Sequence, residues 1–156
     1  MSLDKGQFTE LVIIPALESL QLNSKAAQEL LLGTAIQESG LRYLHQLGDG
    51  PALGLFQMEP ATHDDIWENY LAYRATLAQK IPGTGGSAIR RKAVEMVGNL
   101  WYAAGMCRVH YLRAPEPLPE AGDLEGQAAY WKKWYNTAQG AGTVEHYIRN
   151  WRKAHN

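Results

Sequence analysis

The chain has 156 residues, 46% hydrophobic and 20% charged, ordinary values for one globular domain with room for a core. A formal net charge of −1 points away from nucleic acid as a partner. No run approaches the roughly 20 apolar residues of a membrane span, so no stable membrane association is expected, and the single cysteine excludes an intrachain disulfide.

Residues 7–21 read as a first helix, with Phe8, Leu11, Val12, Leu17 and Leu20 near one face and Pro15 kinking it or starting a new turn. Asn23 or Ser24 caps a second helix that runs to Gln37 or Glu38 and stops at Gly40. Residues 41–60 break the helical period. Gly48-Asp49-Gly50-Pro51 is turn chemistry, and no clean alternation supports a sheet, so a small loop-rich lobe is expected there. Thr62, with Asp65 three residues on, caps a third helix over 62–79. Ile81-Pro82-Gly83-Thr84-Gly85-Gly86 is a surface loop that lacks the Gly-Lys-Ser/Thr ending of a phosphate-binding loop. Ser87 caps a long fourth helix to about Arg113, whose small residues Gly98, Ala103, Ala104 and Gly105 suit close packing by its neighbours. Pro115, Pro117 and Pro119 make a stiff connection. Asp123 opens a fifth helix to about Tyr135, and Thr143 caps a sixth with Val144, Tyr147, Ile148 and Trp151 turned inward. With no internal repeat or composition break, the expectation is one mainly α domain over 1–156, of about six helices.

Charge is uneven along the chain. Residues 1–70 carry ten acids and three bases, whereas residues 132–153 hold five bases against Glu145 alone. The basic end suits either docking on an anionic polymer such as a cell wall or a solvated helix face. Met1 to Gly6 has no basic leader, and Leu11-Val12-Ile13-Ile14 is too short for a signal sequence and is broken by Pro15. Folding in a reducing cytoplasm follows as the expectation, in keeping with the lack of disulfides. Cys107 falls in an apolar helical pattern and reads as a small buried residue. His45, His63 and His110 lack metal-ligand spacing and read as surface or core histidines.

Glu38 is the residue that carries chemistry. It ends the apolar run Leu30-Leu31-Leu32-Gly33-Thr34-Ala35-Ile36-Gln37 and precedes Ser39-Gly40. Desolvation and the negative end of the helix dipole both disfavour its anion. A carboxyl that keeps its proton near neutral pH can act as a general acid, which suits cleavage of a sugar–oxygen bond. Alone, a glutamate at a helix end is more often a solvated surface charge. Two further motifs shift that balance.

Gln37-Glu38-Ser39-Gly40, Gly54-Leu55-Phe56-Gln57-Met58-Glu59-Pro60-Ala61-Thr62 and Trp134-Tyr135-Asn136-Thr137-Ala138 come in the order and spacing of one family. They resemble the lytic transglycosylases of the soluble-transglycosylase (SLT) type, relatives of goose-type lysozymes. Asn99-Leu100 and Ala104-Gly105-Met106 resemble that family's Asn-Leu…Ala-Gly helix, so the resemblance covers about residues 24–150. It implies a lysozyme-like, mainly α fold. Glu38 matches the catalytic acid, Ser39 its neighbour near the reacting sugar, and Gln57 a substrate-binding amide flanked by Phe56 and Met58 as an apolar wall. Tyr135 matches the phenol near the carboxyl and Asn136 its companion. Two departures stand out: Gly48-Asp49-Gly50-Pro51 replaces the family's Ser before the second motif, and the tail after Tyr135-Asn136 is longer than usual.

The resemblance implies cleavage of the β-1,4 bond between N-acetylmuramic acid and N-acetylglucosamine in peptidoglycan. Glu38 would act as acid and then base, forming a 1,6-anhydro ring with no cofactor and no metal. Glycan strands are the expected partner and a monomer the expected state. Two alternatives stand beside it. A muramidase of goose-lysozyme type would use Asp49 or Glu59 to activate water. A wall-binding or virion structural module would keep the fold without the reaction. A leaderless wall enzyme also resembles a phage or prophage product, either an endolysin or a virion-associated enzyme.

Overall fold

Asp4 accepts a hydrogen bond from the Gln7 N–H over 2.9 Å and so starts the first helix, α1 (Lys5–Phe8). The chain continues without a break through a π turn (Thr9–Ile13) into α2 (Ile14–Ser19). The structure is a computed structural model and describes residues 1–136 and 139–156; Thr137 and Ala138 of the third motif lie outside the described residues. The wide π turn stands immediately ahead of Pro15, whose ring crowds the preceding turn and which cannot donate to it. The expected kink therefore takes the form of a π turn.

Ser24 accepts from the Ala27 N–H (3.1 Å) and opens α3 (Lys25–Ser39), as its position in the sequence suggests. Gly40, at φ 60°, ends it in the left-handed region, with its N–H on the Ile36 carbonyl. Every residue from Leu30 to Ile36 is buried, so α3 runs through the middle of the molecule and is wrapped on all sides. At Gly33 a Cβ would collide with the Tyr147 hydroxyl, so this glycine is what lets a later helix press onto α3.

Two expected helices are broken. The third is α4 (Pro60–Asn69), a 3₁₀ turn (Leu71–Tyr73) and α5 (Ala75–Lys80). Pro60 opens α4, so Thr62 lies inside the first turn and is not its cap. The break falls at Tyr70, where the Arg74 guanidinium lies over the Tyr70 ring at 3.8 Å and donates to the Tyr70 carbonyl. The expected fourth helix is only α6 (Glu95–Gly98) and α7 (Leu100–Leu112). Asn99 divides them: its backbone is extended and its side chain accepts from the Tyr102 N–H over 3.0 Å. Ser87 caps no long helix; its hydroxyl accepts locally from the Ile89 N–H.

Asp123 caps α8 (Leu124–Trp131), which runs on into a second π turn (Lys132–Asn136), and Thr143 caps α9 (Val144–Ala154). Residues 41–60 form the loop-rich lobe. Its only pairings are the antiparallel bridges His45 with Leu53 and Leu53 with Met58, and no strand forms among the described residues. The fold is mainly helical. The core holds Trp131, Tyr102, Tyr111 and Tyr147, all buried, together with Cys107 as expected. Among the described residues, no helix is long and apolar enough to cross a membrane.

Candidate functional site

Glu38 occupies the last turn of α3, partly buried. Burial lifts its carboxyl from the ordinary 4.5 to about 7. The Trp131 indole N–H, buried and without a hydrogen-bond partner, lies near enough to favour the anion and moderates the rise. Glu38 borders two cavities, of about 570 Å³ and about 670 Å³. Both are lined by Glu38, Gln46 and Gln57, so the carboxyl stands where the two halves of a groove join. The first half is lined further by neutral polar groups, among them Thr62, Tyr135 and Asn136. The second carries the cations Arg42 and Lys153.

The second motif is a hairpin tip. Leu53 and Met58 exchange both backbone hydrogen bonds (2.9 and 3.1 Å), leaving Gly54 to Gln57 as the connection. Gly54 has φ +77°, and a Cβ there would lie 2.5 Å from the Met96 carbonyl, so only glycine fits. Gln57 is left-handed at φ 48° and is pinned by its own side chain, whose Nε2 donates to the Gly54 carbonyl over 2.9 Å. The strained turn aims Gln57 at the junction of the two cavities. Phe56 faces the other way. Its ring is buried in the core, 6.0 Å from that of Phe8, and it lines neither cavity. Met58 is almost fully buried and lines the first cavity.

Tyr135 of the third motif reaches this turn. The Tyr135 hydroxyl donates to the Phe56 carbonyl at 2.6 Å. The Tyr135 ring packs against Tyr111 at 5.3 Å and edge-on to His110 at 5.1 Å. Thr34 Oγ1 donates to the Leu30 carbonyl, so the Tyr111 hydroxyl, 2.8 Å away, donates to Thr34 and anchors this aromatic cluster on α3. Asn136 lines the first cavity and accepts from Lys132 Nζ over 2.7 Å. Ser39 is buried. It donates to the Ala35 carbonyl and accepts from the Leu41 N–H, so its hydroxyl fastens the end of α3 while the residue borders the second cavity.

The fold therefore gathers Glu38, Gln57, Met58, Tyr135 and Asn136 around one cavity and holds Phe56 behind it. Of the two water-activating candidates, Glu59 lines that cavity, whereas Asp49 is exposed and borders neither. Sequence reasoning missed Gln46, Thr62 and His110. Gln46 lies outside every motif, and Thr62 reads as a cap. His110 reads as a bland histidine, although on α7 it stands one position before Tyr111, part of the aromatic cluster under the motif Tyr135. His63 is a core histidine bonded to Asp64 and to the Tyr102 hydroxyl, and His45 is exposed on the lobe. Among the described residues no group of three or more His, Cys, Asp or Glu converges to hold a metal ion. Comparison of the chain with protein-family models, with curated proteins and with solved structures finds no match.

Proposed function

We propose that the protein has the lysozyme-like fold of the SLT-type lytic transglycosylases and cleaves the β-1,4 bond between N-acetylmuramic acid and N-acetylglucosamine in peptidoglycan. The observation that carries this reading is Glu38: one carboxyl with a pKa of about 7 at the point where two halves of a groove meet. A polymer laid along the groove places a bond over the carboxyl. A carboxyl raised this far still holds, near neutral pH, the proton that the leaving oxygen needs.

In the proposed reaction Glu38 donates that proton to the glycosidic oxygen as the C–O bond breaks. The substrate's own acetamido group supports the oxocarbenium-like centre. Glu38, now a carboxylate favoured by the Trp131 N–H, takes the proton of the C6 hydroxyl as its oxygen bonds to C1. The proton count closes, water is not consumed, and the product carries a 1,6-anhydro ring. No cofactor enters. Glycan strands are the partner, and a phage or prophage lysis or entry enzyme is the setting that suits the reading.

One observation favours a second reading. Glu59 borders the same cavity and could activate a water, as in an inverting muramidase. Mass analysis of the products separates the two. Muropeptides one water lighter than ordinary reducing ends support the transglycosylase; reducing ends support the hydrolase. Glu38→Gln stops clearing of peptidoglycan suspensions in either case. A wild-type protein that binds peptidoglycan without clearing it is a wall-binding module instead.

A further inference from the structure

His110 belongs to none of the motifs, yet it lines the first cavity together with Glu38 and Tyr135. Its ring is held from behind. Asp65 Oδ2 accepts from Arg113 Nη1 over 2.7 Å, and Arg113 Nη2 reaches His110 Nδ1 at 3.5 Å. A guanidinium can only donate, so Nδ1 is the acceptor and the ring proton sits on Nε2. Nε2 makes no hydrogen bond to the protein among the described residues. Tyr135, edge-on at 5.1 Å, fixes the plane of the ring. Among the described residues the imidazole is thus a neutral, single-proton donor whose Nε2 has no protein partner. The walls of the same cavity include the small apolar surfaces of Ala52 and Met58.

We propose that His110 is a specificity-determining contact of the cavity beside Glu38, its Nε2–H donating to the acetamido carbonyl of a 2-acetamido sugar whose methyl rests on Ala52 and Met58. The ring stays neutral because burial, aided by the charge of Arg113, holds its pKa down at about 4. A neutral donor with no free acceptor suits a carbonyl, which only accepts. It gives no charge to select a carboxylate. This assignment rests on the glycan-strand reading and adds to it the residue that recognises the acetamido group.

Binding of chitotetraose, which bears acetamido groups, and cellotetraose, which bears hydroxyls instead, tests the assignment by calorimetry in a Glu38→Gln background that prevents turnover. The His110 protein prefers chitotetraose. His110→Phe loses that preference by roughly tenfold, the worth of one neutral hydrogen bond, and His110→Gln, whose amide can still donate, restores part of it. If His110→Phe keeps the full preference while the unsubstituted enzyme clears peptidoglycan, this assignment alone falls. If neither tetraose binds and no peptidoglycan is cleared, the glycan-strand reading falls with it. Nitrogen-15 spectra of the unsubstituted protein make the test independent of how the variants fold. A proton on Nε2 and a shift of that resonance with chitotetraose support the contact; a proton on Nδ1, or an unmoved ring, overturns it.

Discussion

The Tyr135 hydroxyl donates to the backbone carbonyl of Phe56 over 2.6 Å, across 79 residues of chain. This bond ties the π turn that follows α8 to the hairpin tip that presents Gln57, and so holds two walls of the groove at a fixed distance from Glu38. Tyr135→Phe keeps the ring packing but leaves the Phe56 carbonyl without this partner. It lowers stability by about 1–2 kcal/mol and loosens the Gln57 turn. Thermal unfolding together with the rate of peptidoglycan clearing reads both effects; an unchanged melting temperature would show that the bond contributes nothing.

Glu38 sets two pH dependences. The proposed cleavage starts from the protonated carboxyl, so the rate falls as pH rises through about 7, by roughly tenfold per unit well above it. A clearing rate that stays flat between pH 6 and pH 9 excludes Glu38 as the acid.

The same shift affects stability. The folded pKa of about 7 lies above the ordinary 4.5, so the folded state holds this proton more tightly than the unfolded chain does. The contribution is fully present below pH 4.5 and is lost as pH rises to about 7, by about 3 kcal/mol in all. Glu38→Gln, which cannot ionise, is therefore the more stable protein at pH 8 and differs little from wild type at pH 4. Urea midpoints of the two proteins at both values measure this directly. Equal midpoints at pH 8 would mean that the carboxyl is well solvated.

Gly54 carries a backbone requirement that no other residue meets. Gly54→Ala places a Cβ against the Met96 carbonyl at φ +77°. It costs about 2 kcal/mol or more and displaces Gln57 from the junction of the cavities. Loss of oligosaccharide affinity larger than the loss of stability marks the turn as part of the site; a protein with wild-type stability and affinity refutes the packing argument.

The core contains a polar network that contributes stability away from the groove. The Tyr102 hydroxyl accepts from the Trp67 Nε1–H (2.9 Å) and donates to His63 Nε2 (2.7 Å), while His63 Nδ1 donates to Asp64. Tyr102→Phe strands two buried polar groups and destabilises by about 2–3 kcal/mol, with peptidoglycan clearing at permissive temperature unaffected. Denaturant unfolding checks the first part and a clearing assay the second.

Local chemistry was legible wherever one residue type answers one backbone need. Ser24, Asp123 and Thr143 start helices because a short oxygen-bearing side chain can reach a free N–H, and Gly40 stops one because it tolerates positive φ. The helical character, the loop-rich lobe, buried Cys107 and a raised carboxyl pKa for Glu38 at the end of an apolar run were all readable on that footing. The breaks at Tyr70 and Asn99 were not, because each depends on what a side chain does in three dimensions: Arg74 folding back over Tyr70, and Asn99 turning to cap the helix after it. Period and propensity carry no trace of either. Tertiary structure alone decided which motif residues face the groove. Phe56 and Gln57 are neighbours in the chain, yet the left-handed turn sends one into the core and the other to the carboxyl. It also decided that His110 lines the cavity beside Glu38, in contact with Arg113 and Tyr135, residues that only the packing of α4, α7 and the second π turn brings together. Burial of Glu38 has the same origin. The sequence places a carboxyl at the end of an apolar helix; burial by distant segments removes the water that would have kept it an ordinary acid, and the Trp131 N–H only moderates the rise.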